Sequence, residues 1–375
     1  MNTLSPAQRV LNAKAMRLAD EGDFSGLALV LEQGADPKDG RSMALSSAAA
    51  RGHIECVKLL IPLSDVDAEN CSALQLAAAN GHAQCVALLI SASAPGMNHN
   101  PALRWAASHG RADCVKLLIP SGNPLFGESA ALRRAAAGGH LKCVKLLIPA
   151  SDPENGSALQ AAAKAGQEEC LAMLLPISGP AECLAGALSL AARAGLLGCV
   201  QMLVAALGPN AEFSESLSLA AAHGEIECVN FLASSSTEEA RSLALESAAR
   251  AGQVECAKLL LAMPRSEGAS NALQAAATHG RVDCARLLAP LCELDKNPLP
   301  FHLAMQAGQA GVVALMLDFV PSLIDLIDLR QCIVETASMG HRELTALLGS
   351  ISESRSISAA AHAPQAPLPP PAKRL

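Results

Sequence analysis

Apolar residues along the chain recur with the spacing of amphipathic helices, and the whole pattern repeats about every 29 residues. The stretch 73–90 contains one period. Leu74 stands seven residues before Gly81, and Ala77 and Ala78 stand four and three residues before it. Because positions i, i+3 and i+4 lie on one side of an α-helix, these three residues predict a helix with one small apolar face.

A second helix is predicted after Gly81. Cys85, Val86, Leu88 and Leu89 stand four, five, seven and eight residues beyond it, which is again the spacing of one helical face. Gly81 itself stands where the chain must reverse, and glycine adopts positive φ without steric cost. Each period therefore predicts a helix, a tight turn and a second helix.

Glycines equivalent to Gly81 mark the period, and we refer to them as the repeat glycines. Their spacing ranges from 27 to 32 residues, which gives twelve repeats. They are Gly22, Gly52, Gly81, Gly110, Gly139, Gly166, Gly195, Gly224, Gly252, Gly280, Gly308 and Gly340. Positions within a repeat are numbered from its glycine, so Leu74 stands at position −7. One such helix pair buries too little surface to fold alone, and the pairs must therefore stack on one another.

Short connectors join the predicted repeats. Prolines near the ends of second helices are expected to stop them, namely Pro62, Pro120, Pro149, Pro176 and Pro290. Serines ahead of the Leu at −7 are predicted to cap the next first helix, namely Ser72, Ser129 and Ser157.

The composition indicates which residue types fill the core. One Trp, no Tyr and six Phe leave Ala, Leu, Val and Cys to fill the interior, and a hydrophobic content of 51% excludes a disordered chain. Few segments alternate β-branched or aromatic residues as strands do. The sequence therefore predicts an all-α protein of stacked helix pairs.

Charge and hydropathy restrict the partners. A net charge of −7 and a pI near 5.8 argue against nucleic acid as a ligand, because general nucleic-acid binders carry a basic excess. Pro and charged residues interrupt every candidate membrane span, and residues 1–23 lack the pattern of a secretory signal. We expect a cytoplasmic protein, monomeric and with no membrane partner, while export by a non-cleaved signal stays open.

The repeated pattern resembles that of ankyrin repeats. The resemblance is carried by Ala-Leu-Gln-Leu-Ala-Ala-Ala-Asn-Gly-His-Ala-Gln-Cys-Val-Ala-Leu-Leu-Ile at 73–90 and by Leu-Glu-Gln-Gly-Ala-Asp-Pro at 31–37. It covers about 340 residues and implies an all-α, ankyrin-type repeat solenoid of about twelve helix-turn-helix units. The usual Thr-Pro opening is missing, and the period is about 29 residues rather than 33. The projecting hairpin loops are therefore expected to be truncated.

The predicted solenoid covers residues 1–349 and has atypical capping repeats at both ends. Acidic residues surround the first repeat glycine, and Thr336 and Ala337 replace the Ala pair of the last repeat. Residues 350–375 are rich in Ser, Ala and Pro and are predicted to be a disordered tail. The segment 367–374 fits either a solvated tail or a peptide for a proline-recognising domain.

Thirteen cysteines raise the question of thiol chemistry. Nine of them stand at position +4, namely Cys56, Cys85, Cys114, Cys143, Cys170, Cys199, Cys228, Cys256 and Cys284. Free Cys behaves as a small apolar residue, so this repetition predicts core packing and free thiols. Cys71, Cys183, Cys292 and Cys332 lie elsewhere and are expected to be the more reactive thiols.

Three His-x-x-Cys pairs suggest half of a zinc site, for example His53 with Cys56. Equivalent residues of neighbouring repeats would lie about 8–10 Å apart, too far to share one ion, so no metal is expected. No phosphate-binding, dinucleotide-binding, metalloprotease or serine-hydrolase motif occurs in the chain. We therefore predict no catalytic residue, no cofactor and no enzyme.

The resemblance implies that the ends of the first helices line the concave groove of the repeat stack, where a partner protein would bind. The residues just before the repeat glycines are basic or neutral from the second repeat to the eleventh, while acidic residues recur at +3. The predicted partner-binding residues are Arg51, Asn80, Arg104, Trp105, His109, Arg133, Arg134, Lys164, Arg193, His223, Arg250 and His279. The segment around Trp105 carries the residue types enriched in interface hot spots, although Trp105 also fits packing between repeats.

The leading hypothesis is a non-catalytic scaffold that binds a partner protein, with an acidic segment as the favoured ligand. The short, Cys-bearing repeats also resemble those of bacterial ankyrin-repeat proteins, which implies an effector-like regulator of a host protein as an alternative. A Cys/His metal-binding or redox regulator is a second alternative. Nucleic-acid binding through a basic groove is the weakest of the hypotheses, because aromatic residues for stacking are scarce.

Overall fold

A computed structural model describes residues 5–154, 156–208, 211–263 and 268–361 of the chain. Within these ranges the chain forms 24 α-helices and no strand, which confirms the all-α prediction. Contacts divide the chain into two compact units, Met1–Ala211 and Glu212–Leu375, whereas the sequence predicts one domain over residues 1–349.

The first unit contains seven helix pairs. Its helices are α1 (Pro6–Glu21), α2 (Phe24–Glu32), α3 (Asp39–Arg51), α4 (Ile54–Leu60), α5 (Ala68–Asn80), α6 (Ala83–Ala92), α7 (Asn100–Ser108), α8 (Ala112–Leu118), α9 (Phe126–Ala137), α10 (Leu141–Leu147), α11 (Ser157–Lys164), α12 (Glu168–Leu174), α13 (Ala181–Arg193) and α14 (Leu197–Leu207).

The second unit contains five helix pairs. Its helices are α15 (Ser214–His223), α16 (Ile226–Ser234), α17 (Glu238–Ala251), α18 (Val254–Leu261), α19 (Ala269–Thr278), α20 (Val282–Leu288), α21 (Leu299–Gln306), α22 (Ala310–Phe319), α23 (Leu329–Ser338) and α24 (Arg342–Ala361).

Every repeat glycine lies in the turn between the two helices of a pair. Their φ angles range from 68° to 89°, the left-handed region in which a side chain is strained. The turns confirm the twelve predicted corners. The connectors between pairs are short, with no strand in their described residues, and four of them begin with a 3-10 turn whose second residue is the predicted stop proline.

Positions −7, −4, −3, +4, +5 and +8 are buried in every repeat from the second to the eleventh and form its core. In the fourth repeat, Leu103, Ala106, Ala107, Cys114 and Val115 are all at most 1% exposed. The small side chains at −4 and −3 allow α7 to pack between α5 and α9, the first helices of the neighbouring repeats. Stacking of pair on pair therefore buries the apolar face that one pair alone would expose.

The missing side chain of the repeat glycine makes room for the next repeat. A Cβ added to Gly110 would lie 2.7 Å from Nδ1 of His140, the residue at position +1 of the fifth repeat. His140 Nε2 in turn lies 3.0 Å from the carbonyl oxygen of Ser108, at the end of α7. Helix ends leave such carbonyls without an intrahelical donor, so His140 caps the preceding first helix.

This contact recurs with different side chains at +1. His53 bonds the carbonyl oxygen of Asp20 at 2.9 Å, Arg111 donates to that of Ala79 at 3.1 Å, and the equivalent bonds in the second unit come from Gln253, Arg281 and Gln309. The side chain at +1 of one repeat therefore bonds the end of the first helix in the preceding repeat.

Buried polar side chains at position −10 hold the connectors. Asn12, Ser42, Asn100 and Ser129 are each less than 9% exposed. Ser129 Oγ accepts a hydrogen bond from the backbone N–H of Asp152 at 2.9 Å, and Asn12, Ser42 and Asn100 accept equivalent bonds. Ser129 thus bonds the next connector rather than its own helix.

The predicted serine caps are wrong. Ser72 lies inside α5, Ser129 lies inside the α9 segment, and Ser157 opens α11 and donates its hydroxyl to the carbonyl oxygen of Glu128. The first helices begin earlier than the Leu at −7 indicates, so these hydroxyls no longer face free N–H groups at a helix start.

The last helix corrects the predicted start of the disordered tail at residue 350. α24 continues to Ala361, because residues 350–361 contain no Pro or Gly that would end it. Within it, the hydroxyls of Ser350, Ser354 and Ser356 donate to carbonyl oxygens of the preceding turn. Arg355 on this extension pairs with Asp325 at 2.8 Å. The remaining tail, including the proline-rich segment 367–374, lies outside the described residues.

A pair of glycine substitutions separates backbone strain from contact with the next repeat. Gly96→Ala at φ +84° has open space around it, so we expect a cost of about 1–2 kcal/mol in unfolding free energy. Gly110→Ala should cost about 1–3 kcal/mol more, because the new methyl group displaces His140. Urea denaturation followed by circular dichroism measures the unfolding free energy of both variants. Equal costs for the two substitutions would contradict the close contact between Gly110 and His140.

Candidate interaction surface

The predicted binding residues lie at the ends and on the outer faces of first helices. Nine of them belong to the first unit, and His223, Arg250 and His279 belong to the second. Arg104 and Arg133 are half-buried, and the other ten are exposed. All twelve are therefore at least partly accessible to solvent, nine on the first unit and three on the second.

Position −5 forms a row of exposed side chains in the first unit. Leu76 on α5, Trp105 on α7 and Arg134 on α9 occupy this position in three successive repeats. Leu76 is 42% exposed and Trp105 is 48% exposed. The alternative that Trp105 packs between repeats is therefore wrong, because the small residues at −4 and −3 fill that space.

Trp105 stands beside a shallow recess of about 100 Å³ that is also lined by Arg104, Ser108 and Arg134. Its ring lies 5.5 Å from that of His109, with the two planes tilted by 34°. His109 Nδ1 lies 3.0 Å from the carbonyl oxygen of Trp105, which holds the imidazole over the end of α7. The contact fixes one side of the indole and leaves the other side open.

A larger groove of about 660 Å³ lies between α3 and α5, and we call it the apolar groove after the two exposed apolar side chains in its otherwise largely polar lining. Met43 and Leu76 provide its exposed apolar side chains, at 50% and 42% exposure. The sequence prediction missed both residues, although Leu76 stands at the position that Trp105 occupies one repeat later. Arg51 closes one end of the groove by pairing with Asp20 at 2.9 Å.

Ion pairs neutralise part of the predicted basic surface. Arg51 pairs with Asp20, and Arg250 pairs with Glu246 on its own helix. The two positions before each repeat glycine contain no acid from the second repeat to the eleventh, but acids from elsewhere reach the same surface. Asp20 comes from the first repeat, and Glu246 lies one helical turn before Arg250.

The first helices of the fourth, fifth and sixth repeats carry four cations without an ion-pair partner among the described residues, and we call them the cationic cluster. They are Arg104 on α7, Arg133 and Arg134 on α9, and Lys164 on α11. None of the four forms an ion pair or side-chain hydrogen bond with any residue that the structure describes. The cluster lies on three consecutive first helices, next to Trp105.

The second unit presents a different surface. His223 Nδ1 lies 2.9 Å from the carbonyl oxygen of Leu219, and His279 Nδ1 lies 3.0 Å from that of Ala275. Position −5 holds Leu219, Ser247, Ala275, Leu303 and Glu335, none of which is basic or aromatic. Its three predicted residues therefore do not form a cluster like that of the first unit.

The nine cysteines at +4 are core residues, each at most 1% exposed and each with a free thiol. Burial raises the pKa of Cys114, Cys143, Cys228 and Cys256 from 9.0 to about 11, which keeps the reactive thiolate scarce.

The prediction that Cys71 is one of the more reactive thiols is wrong. It is 1% exposed, and burial together with Asp67 raises its pKa to about 11. Cys183, Cys292 and Cys332 are partly exposed. Burial also raises the pKa of Cys292 and Cys332.

The histidines of the His-x-x-Cys pairs are engaged in the inter-repeat bonds. Nε2 of His53, His82 and His140 each lies within 3.0 Å of a carbonyl oxygen of the preceding repeat. Among the residues that the structure describes, no group of three or more His, Cys, Asp or Glu is arranged to hold a metal ion.

The family model described as ankyrin repeats in three copies matches residues 15–102, 45–127, 103–185, 188–269 and 245–326. The chain belongs to the ankyrin-repeat family. Ankyrin repeats are generally protein–protein interaction modules, and the fold is typically a non-enzymatic scaffold. The predicted family and the predicted ankyrin-type solenoid are thus confirmed.

Among solved structures, the chain is similar to the crystal structure of the human ASB11 ankyrin repeat domain. The two share 22% sequence identity over 56% of this chain and 100% of that domain, with a TM-score of 0.46. No curated protein matches the chain. Within the described residues, no helix is both long and apolar enough to cross a membrane.

Two substitutions on α7 test the exposure of Trp105 in this ankyrin-repeat protein. Leu103→Ala should cost about 2–5 kcal/mol in unfolding free energy, because Leu103 is 1% exposed. Trp105→Ala should cost about 1 kcal/mol, because half of the indole is already in solvent. Urea denaturation followed by circular dichroism compares the two variants. A larger loss of unfolding free energy for Trp105→Ala than for Leu103→Ala would show that the indole is part of the core.

The buried thiols make the fold sensitive to alkaline pH. Their pKa is about 11 in the folded chain and 9.0 when exposed, so the unfolded state loses protons first as pH rises above 9. The contribution of the protonated, buried thiols to the unfolding free energy is complete below pH 9 and falls as pH rises towards 11.

Denaturation midpoints at pH 8 and pH 10.5 check this expectation. The midpoint should fall with pH, and replacing Cys114, Cys143, Cys228 and Cys256 by Ala should reduce the fall. The chain has no Tyr to ionise in the same range, which simplifies the comparison. An identical pH dependence in the four-fold variant would contradict the assignment.

Proposed function

We propose that this ankyrin-repeat protein is a non-catalytic scaffold that holds a partner protein against the outer faces of its first helices. The observation that supports the proposal most directly is the exposed Trp105 beside the uncompensated cationic cluster. Trp and Arg are the residue types most enriched where interface binding energy concentrates. Their juxtaposition on consecutive helices favours the first unit as the main contact area.

The energetics of this surface favour binding by a partner. Covering an exposed indole gains about 25 cal/mol per Å² of apolar area removed from water. Arg104 and Arg134 have no internal acceptor in the described chain, so a partner carboxylate would not have to displace one. A charge-assisted bond to such a carboxylate is about twice as strong as a neutral hydrogen bond.

The first helices also suit this role mechanically. Core packing of α5, α7 and α9 fixes their spacing, and inter-repeat bonds cap the ends of α5 and α7. A rigid, prearranged surface loses little conformational freedom on association. The metal or redox alternative gains no support, because the thiols at position +4 are buried and the histidines of the His-x-x-Cys pairs are already hydrogen-bonded.

Site-specific photocrosslinking tests the proposal. A benzophenone side chain at Ser108, which lines the recess beside Trp105, should form adducts with a partner protein when the full chain is irradiated in cell lysate. The matched control carries the same group at Lys116, exposed on α8 of the same repeat. Adducts are expected from position 108 and not from 116. Equal labelling at both positions, or none at 108, would contradict the proposed surface.

A further inference from the structure

The outer face of the first unit changes character from repeat to repeat. Met43 and Leu76 make it apolar in the second and third repeats, and Trp105 continues that character into the fourth. Arg134 and Lys164 make it cationic in the fifth and sixth repeats. The change is directional, since apolar character lies at one end of the row and positive charge at the other.

We propose that this face binds an extended acidic segment of a partner protein in a fixed register, with an apolar side chain in the apolar groove and carboxylates on the cationic cluster. The inference rests on the proposed scaffold function and specifies the chemistry of its ligand. Neither end alone defines the ligand, because the apolar groove offers no free cation and the cluster offers no deep cavity.

The spacing of the helices sets the register of the ligand. Packed helices lie about 8–10 Å apart, and an extended chain advances about 3.3 Å per residue. One repeat therefore corresponds to about three ligand residues. Leu76 and Arg134 are two repeats apart, so the ligand's apolar anchor and its carboxylates should be separated by about six residues, with the intervening segment passing over Trp105.

Charge at the apolar end argues against a uniform polyanion such as nucleic acid. Asp20 and Glu69 line the apolar groove, and Asp20 already neutralises Arg51. A phosphate backbone lying along the whole row would bring its charges against these carboxylates. A ligand whose charge is confined to one end avoids that repulsion, which selects an acidic peptide segment over a nucleic-acid strand.

Trp105 provides a direct probe of this surface. It is the only Trp, and the chain contains no Tyr, so fluorescence excited at the indole band reports this one position. Synthetic peptides without Trp or Tyr can therefore be titrated into the full chain. The first peptide carries a Leu about six residues from a pair of Asp, the second keeps the composition but places the Leu next to the acids, and the third replaces both Asp by Lys.

The first peptide should change the emission of Trp105 and bind about tenfold or more tightly than the other two. The double substitution Arg104→Glu and Arg134→Glu should weaken it by at least about tenfold. Lys116→Glu with Lys145→Glu is the matched control, because both lysines are exposed on second helices of the same two repeats. Leu76→Ala should weaken the first peptide and leave the second unchanged.

Three outcomes would overturn the inference: equal affinity for the first and second peptides, equal loss in the control variant, or tighter binding of an oligothymidylate than of the first peptide. If photocrosslinking at position 108 captures a protein while no acidic peptide binds, the register and ligand chemistry are wrong and the scaffold function stands. If position 108 also yields no adduct, the scaffold function fails as well.

Discussion

The fold depends on one contact that is made possible by a missing side chain. The repeat glycine has positive φ, and the space where its Cβ would lie is occupied by the residue at +1 of the next repeat. Ten of the twelve repeat glycines have this neighbour. The same residue commonly bonds a carbonyl at the end of the preceding first helix. One position thus determines the turn, caps a helix and sets the register between repeats.

The register between repeats determines which residues of the sequence lie side by side on the surface. Because the repeats within a unit stack on one another in the same way, residues with equal position numbers become neighbours in space. Leu76, Trp105 and Arg134 are far apart in sequence but form one row on the first unit. The core beneath them is nearly identical in every repeat, so specificity can reside only in the exposed positions, where side chains vary without disturbing the stack.

The sequence was sufficient to predict the corners, the helix pairs and the buried thiols, because these features recur with the period and each repeat supplies the same evidence. Features that depend on contacts between repeats could not be read in the same way. Ser129 has the sequence signature of a cap but bonds the next connector, and the pair of Arg51 with Asp20 joins two repeats. Trp105 fitted two interpretations until its neighbours were known. Residues 350–361 are predicted to be disordered from their Ser-rich and Ala-rich composition, but they continue α24. Composition alone does not show that a preceding helix extends into such a segment.

A double-mutant cycle on Gly110 and His140 measures the central contact most directly. Unfolding free energies are compared for Gly110→Ala, His140→Ala, the double variant and the unmodified chain. Removing the imidazole should relieve the clash, so the cost of Gly110→Ala should fall by about 0.5–3 kcal/mol in the His140→Ala background. A cost that is the same in both backgrounds would contradict the claim that the missing Cβ sets the register between repeats.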